Sequence, residues 1–355
     1  MNTVISGKEL ISYASGLSIQ DYETFKIVTV SNPWTGAKEP FTYICYSENT
    51  ILPDSLHKYQ AIQIPVKSIV VTSTTHIPPL ELLGVEKSLI AFPNTDYISS
   101  EKTRALIDSG LVREIGSNQA LNTEVLLDLN PDVIMGFGVD GEKSTYDNLQ
   151  RNGIKVVYNG DWTEQNALGR AEWIKFFGVL FDKILLAETV FSEIEKDYKN
   201  AQTLVENISQ KPTILSGAIY ENHWYLPQGK SWAAMFLKEA GGDYIWKETE
   251  GTGSLSLTFE TVFDKAENAD FWIGPGQFTS INEILKANPN YKHFKAVQTG
   301  NVFSFSSKRG KTGGVIYYEL ASSRPDLVLK DLIKILHPEI LHDYELSFFE
   351  HLKTK

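Results

Sequence analysis

The sequence is poor in cysteine, in positive charge and in long apolar runs, and each shortage excludes a class of protein. Cys45 is the only cysteine among 355 residues, so neither an intrachain disulfide nor a thiolate metal cluster can form. Acidic residues outnumber basic ones by 44 to 33, and the net charge of -11 argues against nucleic acid, which binds clustered Lys and Arg. The longest apolar runs, such as IVVT and VIMGF, fall far short of the ~20 residues of a membrane span.

Motifs for metal binding and nucleophilic catalysis are missing as well. The seven histidines are scattered, and HExxH, CxxC, EF-hand and GxSxG spacings do not occur. We therefore predict no catalytic residue, no metal site and no cofactor. The segment MNTVISGKEL has neither the basic start nor the apolar core of a signal peptide, which predicts a cytosolic chain or a mature form whose export signal has been removed.

The order of strand and helix patterns predicts an α/β fold with two lobes. Residues 1–66 carry short β-type runs separated by Pro, Gly and Asn, which predicts a β-rich N-terminal extension packed on the first lobe. Strand and helix patterns then alternate over 67–182 and again over 211–355, which predicts two lobes with mainly parallel central sheets. Apolar spacings of three and four over 183–208 predict one long linking helix. A packed core helix and a coiled-coil arm are the alternatives, and the single apolar seam disfavours the coil.

The segment GFGVDG indicates an alternative of another class, a nucleotide-dependent α/β enzyme. Gly136, Gly138 and Gly141 match GxGxxG after the predicted strand PDVIM. Asp161 follows at the ~20-residue distance of a ribose-binding carboxylate. Two acidic residues in and after the loop would repel a pyrophosphate at the helix start. A glycine turn at the end of a strand is the simpler interpretation.

Aromatic and basic residues on loops are the candidates for ligand contacts. Ligands of α/β sheets bind at the carboxyl ends of the strands, so residues that follow predicted strands are selected. These residues are His76, Tyr97, Phe137, Trp162, Tyr220, Trp224, Tyr225 and Trp232, with Lys308, Arg309 and Lys311 from the turn SSKRGKTGG. The three basic residues are interpreted as a cationic clamp for an anionic ligand. Solvated lysines, a solvated loop histidine and an internally packed aromatic hairpin are the alternatives.

One phrase occurs twice in the chain. NTEVLLDLNPDVIMGFG begins at residue 122 and FETVFDKAENADFWIGPG at residue 259, and each places a glutamate, Glu124 or Glu260, before an apolar run that ends in Gly-x-Gly. A carboxylate in the first turn of a helix is stabilised by the helix dipole by ~0.3–1 kcal/mol, which explains one such glutamate but not a matching pair. One charge on each lobe is what a two-point docking surface needs.

From about Lys67 to Pro338 the chain resembles the substrate-binding proteins of ABC importers. The resemblance is to the class with a rigid helix between two lobes that handles ferric siderophores, haem and cobalamin. It is carried by KSIVVTSTTHIPPLELLGV, NGIKVVYN, the predicted long helix, SWAAMFLKEAGG and, most specifically, TEVLLDLNPDVI. The resemblance implies that Glu124 and Glu260 each bind an arginine pocket on one permease subunit. The segment KAENAD replaces the usual Pro-Asp of the second copy.

The resemblance also implies where the protein works and what it binds. It implies a periplasmic or lipid-anchored protein that captures a small-molecule metal chelate between its lobes and delivers it to a permease dimer with its ATPase. We expect a monomer. It should meet the membrane only through the permease or through a lipid anchor that has been removed from this sequence. Cobalamin-binding relatives carry tryptophans beside the glutamate motifs, where this chain has Asn118 and Ser254. With the basic turn, this favours a ferric siderophore, and cobalamin or haem is the alternative.

Overall fold

The computed structural model describes residues 7–138 and 144–354, and it confirms the predicted α/β class. The chain divides into two compact units. Unit 1 comprises the chain up to Glu193 with 311–314 and 318–323, and unit 2 comprises 194–310, 315–317 and 324–355. Each unit contains its own five-stranded, mainly parallel sheet. None of the helices in the described ranges has the length and apolar character that a bilayer span requires.

The β-rich N-terminal segment is a five-stranded sheet in which neighbouring strands follow chain order. Its strands are β1 Lys8–Glu9, β2 Leu17–Asp21, β3 Phe25–Val30, β4 Phe41–Ser47 and β5 Gln60–Ile64. The first four pair antiparallel, and β5 runs parallel to β4. Alternate residues of β3, Val28 and Val30 among them, are buried, as expected of a sheet with one covered face. Cys45 is buried in β4, and burial raises the pKa of its thiol to about 12, so it acts as a small apolar residue.

The remaining strands of unit 1 form its α/β sheet and a separate two-stranded pair. They are β6 Ile69–Val71, β7 Leu89–Phe92, β8 Arg113–Glu114, β9 Gly116–Ser117, β10 Ala120–Leu121, β11 Val133–Phe137 and β12 Val156–Asn159. The parallel sheet has the order β12-β11-β6-β7-β8, and β9 and β10 form a separate antiparallel pair. The residues of β6 and β12 are all buried, which explains their continuous apolar sequence. Because the strands are parallel, their carboxyl ends meet at one edge.

The helices of this part alternate with the strands. They are α1 Ile77–Leu82, α2 Glu101–Asp108, α3 Thr123–Leu129, α4 Ser144–Arg151, α5 Ala167–Glu172, α6 Ile174–Leu180 and α7 Ile184–Val205. Polar caps fix where several of them begin, because Ser100, Asn122 and Asn166 each accept a first-turn backbone N–H of α2, α3 and α5.

The long helix α7 confirms the predicted amphipathic helix. Its apolar stripe is buried at Ala187, Phe191, Ile194, Tyr198, Ala201 and Val205. The boundary between the units falls within it, at residues 193 and 194. The stripe accordingly changes partners, since the Phe191 ring lies 5.9 Å from that of Tyr13 in unit 1 and the Tyr198 ring 6.2 Å from that of Phe236 in unit 2.

The strands of unit 2 form two sheets. They are β13 Thr213–Ser216, β14 Ala218–Tyr220, β15 His223–Pro227, β16 Asp243–Tyr244, β17 Ser254–Leu257, β18 Phe271–Ile273, β19 Val302–Ser304 and β20 Glu350–His351. The larger sheet has the order β16-β13-β18-β19-β20, and only β20 pairs antiparallel. The smaller sheet, β14-β15-β17, is antiparallel. Its Trp224 contributes to a core that also contains Trp272, Tyr291 and Phe294, each almost fully buried.

The helices that follow α7 complete the chain. They are α8 Trp232–Glu239, α9 Phe259–Ala266, α10 Ile281–Ala287, α11 Lys295–Gln298, α12 Ile316–Leu320 and α13 Pro325–Leu336. Although the sequence places all of 211–355 in the second lobe, 318–323 packs in unit 1. The physical reason is the buried carboxylate of Glu319, which accepts the backbone N–H groups of Ser99 and Ser100 at 2.6 and 2.9 Å and so caps α2.

Candidate ligand-binding and docking residues

The carboxyl edge of the unit 1 sheet brings together Phe137 and Trp162. Phe137 ends β11, Trp162 lies in the turn after β12, and their half-buried rings are 5.9 Å apart. The backbone N–H of Phe137 donates to Thr72 Oγ1 at 2.8 Å, which fixes the end of β11 against that of β6. The sequence therefore predicted two residues that the fold makes neighbours at the edge where ligands of parallel sheets bind.

His76 lies in the interior of unit 1, so the prediction that it contacts ligand is wrong. Its side chain is fully enclosed, and its ring lies 6.0 Å from that of Phe177 in α6. Neither ring nitrogen has a hydrogen-bond partner among the described residues. Burial lowers the pKa of the imidazole to about 3, which keeps it neutral. In the sequence His76 follows a predicted strand and therefore looks like a loop residue at the sheet edge. In the structure it directly precedes α1, whose first residues are buried, and it is buried with them.

Tyr97 lies on the surface of unit 1, with 64% of its area exposed. It ends a short 3-10 turn, Thr95–Tyr97, between β7 and α2. A Cβ on Gly314 would collide with the Tyr97 carbonyl oxygen, so the segment 311–314 passes directly over this backbone. The exposed phenol is available for contact with a ligand or another molecule.

Trp224 is a core residue of unit 2, which corrects its prediction as a ligand contact. The side chain is fully buried, and its indole Nε1–H donates to Ser216 O at 3.0 Å. Its ring lies 5.3 Å from that of Trp272 and 5.7 Å from those of Tyr291 and Phe294. The indole is therefore satisfied and enclosed, as the alternative of an internally packed hairpin predicts.

Tyr220 and Tyr225 occupy the other face of the same hairpin. They are 66% and 43% exposed, and their rings lie 6.4 Å apart. The difference from Trp224 follows from strand geometry, because successive side chains of β15 point to opposite faces. The hairpin therefore divides its aromatic residues between the core and the surface.

Trp232 joins two aromatic residues that the sequence analysis missed, Phe305 and Tyr317. Trp232 begins α8, and its ring lies 6.1 Å from that of Tyr317. The Tyr317 ring stacks on Phe305 at 4.4 Å with an interplanar angle of 22°. All three side chains are half-buried, and Phe305 directly follows β19 at the carboxyl edge of the unit 2 sheet. That position was visible in NVFSFSS, since Phe305 follows a predicted strand as Phe137 does.

The three basic residues do not form one clamp. The Lys308 ammonium donates to the carbonyl oxygens of Leu346 and Ser347, so its charge holds the C-terminal segment of unit 2. Arg309, also in unit 2, donates from Nε to Ser306 O at 2.8 Å. Lys311 belongs to unit 1, where its Nζ lies 3.4 Å from Asp108 Oδ2. The sequence spacing misled because backbone carbonyls and a carboxylate distant in sequence bind two of these cations.

The glycines of GFGVDG have structural explanations. A Cβ on Gly136 would lie 3.1 Å from the Tyr146 ring, and one on Gly138 would lie 2.8 Å from Trp34. Gly141, the third glycine of the motif, lies outside the described residues. Asp161, the predicted ribose ligand, is buried, and burial raises the pKa of its carboxyl although the Thr75 hydroxyl hydrogen-bonds to it. These contacts favour close aromatic packing over a dinucleotide site.

No cluster of three or more His, Cys, Asp or Glu in the described ranges is placed to hold a metal ion.

The two glutamates of the repeated phrase occupy the same position in their helices. Glu124 is the second residue of α3 and Glu260 the second of α9, and both are exposed. The preceding Asn122 and Thr258 cap the two helices by accepting backbone N–H groups at 3.1 and 3.3 Å. Within the part of the chain that the structure describes, neither carboxylate has a hydrogen-bond or ion-pair partner. Glu124 in unit 1 and Glu260 in unit 2 thus each place an unpaired negative charge at the start of a helix among the described residues.

The strands that follow these helices are anchored in the same way. Asp132, just before β11, accepts the backbone N–H groups of Lys67 and Ser68 on Oδ2 at 2.7 and 3.1 Å. Asp270, just before β18, accepts the backbone N–H and the hydroxyl of Thr213 on Oδ2 at 2.9 and 2.8 Å. In both units this aspartate ties the strand that it precedes to the start of the neighbouring strand, so the repeat includes KAENAD despite its missing proline.

Known proteins share both the sequence pattern and the fold. The family model of periplasmic binding proteins matches residues 69–308, which include both glutamates and both aspartates. The chain belongs to the periplasmic binding protein family. The N-terminal sheet lies before the matched region of the family. The family consists of binding proteins rather than enzymes, which agrees with the packing reasons found for the glycine motif.

Individual relatives extend the likeness beyond the family core. An uncharacterized lipoprotein of Methanocaldococcus jannaschii is 28% identical over 302 residues, which cover 82% of this chain and 70% of that protein. A possible iron-binding, periplasmic solute-binding protein of Staphylococcus epidermidis has a similar structure, with a TM-score of 0.58 at 17% identity over 77% of this chain and 99% of that one. The periplasmic haem-binding protein of Vibrio cholerae gives a TM-score of 0.59 at 16% identity over 77% and 100%. These structures show that the fold is shared.

Proposed function

We propose that this protein is an extracytoplasmic solute-binding protein that captures a metal chelate and delivers it to the permease of an ABC importer. The carrying observation is the pair of exposed, unpaired glutamates, Glu124 and Glu260, at the same helical position of two separate α/β units. Two negative charges on similar scaffolds suit a permease dimer that offers one basic pocket from each subunit. The protein acts by binding and release, without turnover, as a monomer beside the permease and its ATPase.

A ferric siderophore is the proposed ligand, and each unit offers candidate contacts for it. In unit 1 the candidate contacts are the rings of Phe137 and Trp162 and the exposed Tyr97 on the turn between β7 and α2. In unit 2 they are Trp232 with the stacked Phe305 and Tyr317, the exposed Tyr220 and Tyr225, and the Arg309 guanidinium. Aromatic faces bury the organic part of a chelate, and a guanidinium favours its negative charge.

Haem or cobalamin is the second candidate ligand. The observation that favours it is the stack of Phe305 on Tyr317, since a flat aromatic surface suits a porphyrin or corrin ring. The V. cholerae structure is that of a haem-binding protein, which supports this candidate at the level of the fold.

The proposed location is outside the cytoplasmic membrane, in the periplasm or on a lipid anchor. Its support is the family itself, together with the lipoprotein of M. jannaschii that covers most of this chain.

Titration of the purified protein with ferric citrate, haemin and cyanocobalamin tests the ligand. Binding should quench tryptophan fluorescence and raise the melting temperature, because a ligand at 100 times its Kd stabilises by about 2.7 kcal/mol. Trp162→Phe and Trp232→Phe should each reduce the quenching, whereas Trp246→Phe, at a buried site, should leave it unchanged. If none of the three compounds has an effect, the ligand proposal is wrong, and a melting shift with NAD alone would favour the nucleotide alternative.

Charge reversal tests the docking role. Glu124→Arg and Glu260→Arg should each reduce uptake through the reconstituted transporter more than tenfold, because loss of one partner from a buried ion pair costs about 2–5 kcal/mol. Ligand affinity should not change, since both side chains are exposed at helix starts. Glu193→Arg, on an exposed position of α7, is the matched control for surface charge. Normal uptake by both docking variants would remove this role from the glutamates.

A further inference from the structure

The N-terminal sheet, β1–β5, precedes the residues matched by the family and is bound firmly to the α/β part of unit 1. Two buried carboxylates hold its first loop. Glu172 accepts the backbone N–H groups of residues 12, 13 and 14 at 2.7 to 3.1 Å. Glu164 accepts those of residues 15 and 16 at 2.9 and 2.8 Å. So many charge-assisted hydrogen bonds are more than a loosely attached appendage would make.

The same sheet covers the edge strand of the unit 1 sheet. Tyr43 Oη accepts the backbone N–H of Tyr158 at 3.0 Å, and Gln60 Nε2 donates to Val156 O at 2.9 Å. The Tyr158 N–H and the Val156 carbonyl oxygen both belong to β12, which is the edge strand of its sheet beside β11. The N-terminal sheet therefore satisfies backbone groups that an edge strand otherwise leaves to solvent.

The connection between β3 and β4 reaches further, to the carboxyl edge of unit 1. Trp34 is buried against Tyr158, with ring centroids 5.3 Å apart, and it fills the space that a side chain on Gly138 would need. Trp34 also belongs to the core cluster on which Trp162 packs. One residue of the extension thus contacts the backbone just after Phe137 and supports the cluster beneath Trp162.

Asn32 makes a second contact at this edge. Its carbonyl oxygen lies 2.9 Å from the Thr163 hydroxyl, which also hydrogen-bonds to Gly160 O at 2.8 Å, and it stands where a side chain on Gly160 would be. Gly160 and Thr163 flank Trp162 in the turn after β12. The lack of a Cβ at Gly160 permits this approach, which explains the glycine without any ligand.

We propose that Trp34 and Asn32 are positioning residues, through which the N-terminal sheet sets the placement of Phe137 and Trp162 for ligand binding. This inference rests on the proposed function. Neither residue touches the ligand. Trp34 fixes the backbone at Gly138 from one side, and Asn32 fixes the turn that carries Trp162 from the other. Holding the two aromatic contacts in place before binding lowers the ordering cost of association, so the extension determines affinity.

Measured affinities of variants separate this role from simple stabilisation. Trp34→Ala should weaken binding of haemin, cyanocobalamin or ferric citrate, whichever the wild type binds, by about tenfold, and Trp34→Phe should restore it to within about threefold. The control is Ile19→Ala, which removes a fully buried side chain of β2 in the same sheet. All affinities are measured well below each melting temperature. The control should lower that temperature and leave affinity within about twofold of wild type.

A milder pair of variants keeps the test valid if Trp34→Ala does not fold. Thr163→Val removes the hydroxyl that lies between Asn32 O and Gly160 O, at 2.9 and 2.8 Å, and should weaken binding about threefold. Thr29→Val, at a half-buried threonine of β3, is its control and should leave affinity unchanged. If Trp34→Ala and Thr163→Val bind as their controls do, the positioning role is wrong while the proposed function stands. If the wild type binds none of the three probes, the proposed function fails and the positioning role fails with it.

Discussion

The two helix-to-strand segments that begin near Glu124 and Glu260 are each anchored by an aspartate, but the aspartate of unit 2 makes more contacts than that of unit 1. In unit 1, Asp132 binds two backbone N–H groups at the start of the neighbouring strand and stays exposed. In unit 2, Asp270 binds both donors of Thr213 and also the Lys295 ammonium at 2.7 Å. Burial alone would raise the pKa of Asp270, but the hydrogen bonds from Lys295 and Thr213 outweigh it and lower that pKa. The positions are retained, and the surroundings have diverged.

The units also hold their terminal segments by the same device. Glu172 of unit 1 accepts three backbone N–H groups of the N-terminal loop, and Asp331 of unit 2 accepts three from residues 347–349. Glu172 has a cation beside it, Lys175 Nζ at 2.8 Å, whereas Asp331 has the Tyr344 hydroxyl at 2.7 Å. A buried carboxylate with several donors can thus attach a segment to an α/β unit with or without a counter-charge.

Removing these carboxylates should have the largest effect on stability. Glu172→Ala and Asp331→Ala each remove a buried carboxylate that accepts three backbone N–H groups and should lower the free energy of unfolding by about 3–5 kcal/mol. Glu172→Ala should cost more, because it also removes the carboxylate that pairs with the buried Lys175 ammonium and leaves that cation with the Leu10 carbonyl oxygen as its acceptor. Urea denaturation measures both values, with exposed Glu193→Ala as the control. A loss below about 1 kcal/mol would show that the carboxylate of that unit does not hold its terminal segment in place.

The pH dependence of stability should be opposite in sign for Glu319 and Asp270. Burial raises the pKa of Glu319 from 4.5 to about 7, so the folded state holds this proton more tightly than the unfolded state does. Its contribution to the free energy of unfolding should fall by about 3 kcal/mol as pH rises from 4.5 to 7, at about 1.4 kcal/mol per pKa unit. Glu319→Gln should flatten this part of the urea-denaturation profile. An unchanged slope would show that the carboxyl ionises normally.

Removing the aspartate anchors should lower the free energy of unfolding by smaller amounts, and the two amounts should differ. Asp270→Ala should cost about 2 kcal/mol and Asp132→Ala about 1 kcal/mol, because Asp270 has the additional lysine and is less exposed. The lowered pKa of Asp270 means that its contribution is present above its ordinary pKa of 3.8 and is lost as pH falls through the folded value. Denaturation of both variants at pH 7 and in acid checks this. Equal losses at neutral pH would make the two turns energetically alike.

The docking glutamates should have the smallest effect on stability. Glu124→Gln and Glu260→Gln each lose the favourable interaction of a charge with a helix N-terminus, worth about 0.3–1 kcal/mol at an exposed site. The two losses should agree, since both residues occupy the second position of a capped helix. A clearly larger loss for one variant, measured by thermal denaturation in low salt, would reveal a partner that only one unit provides.

Local pattern was sufficient for the long helix and for the repeat. The three- and four-residue spacing predicted α7, and the paired phrase placed both glutamates at helix starts. The ligand candidates were less predictable. Alternation within β15 sends Trp224 to the core and Tyr225 to the surface, and the strand was too short to show which face would be covered. His76 was misplaced for a different reason, because its burial depends on Phe177 from the distant helix α6.

The sequence by itself determined the alternation of strands and helices, the long helix and the twin acidic helix starts, because periodicity and capping are local properties. Only the tertiary structure decided which aromatic rings stay accessible, which lysines are already bound, and what the N-terminal sheet supports. Trp34 meets Gly138 across about a hundred residues of chain. Such contacts depend on how separately formed elements pack, and no local spacing encodes them.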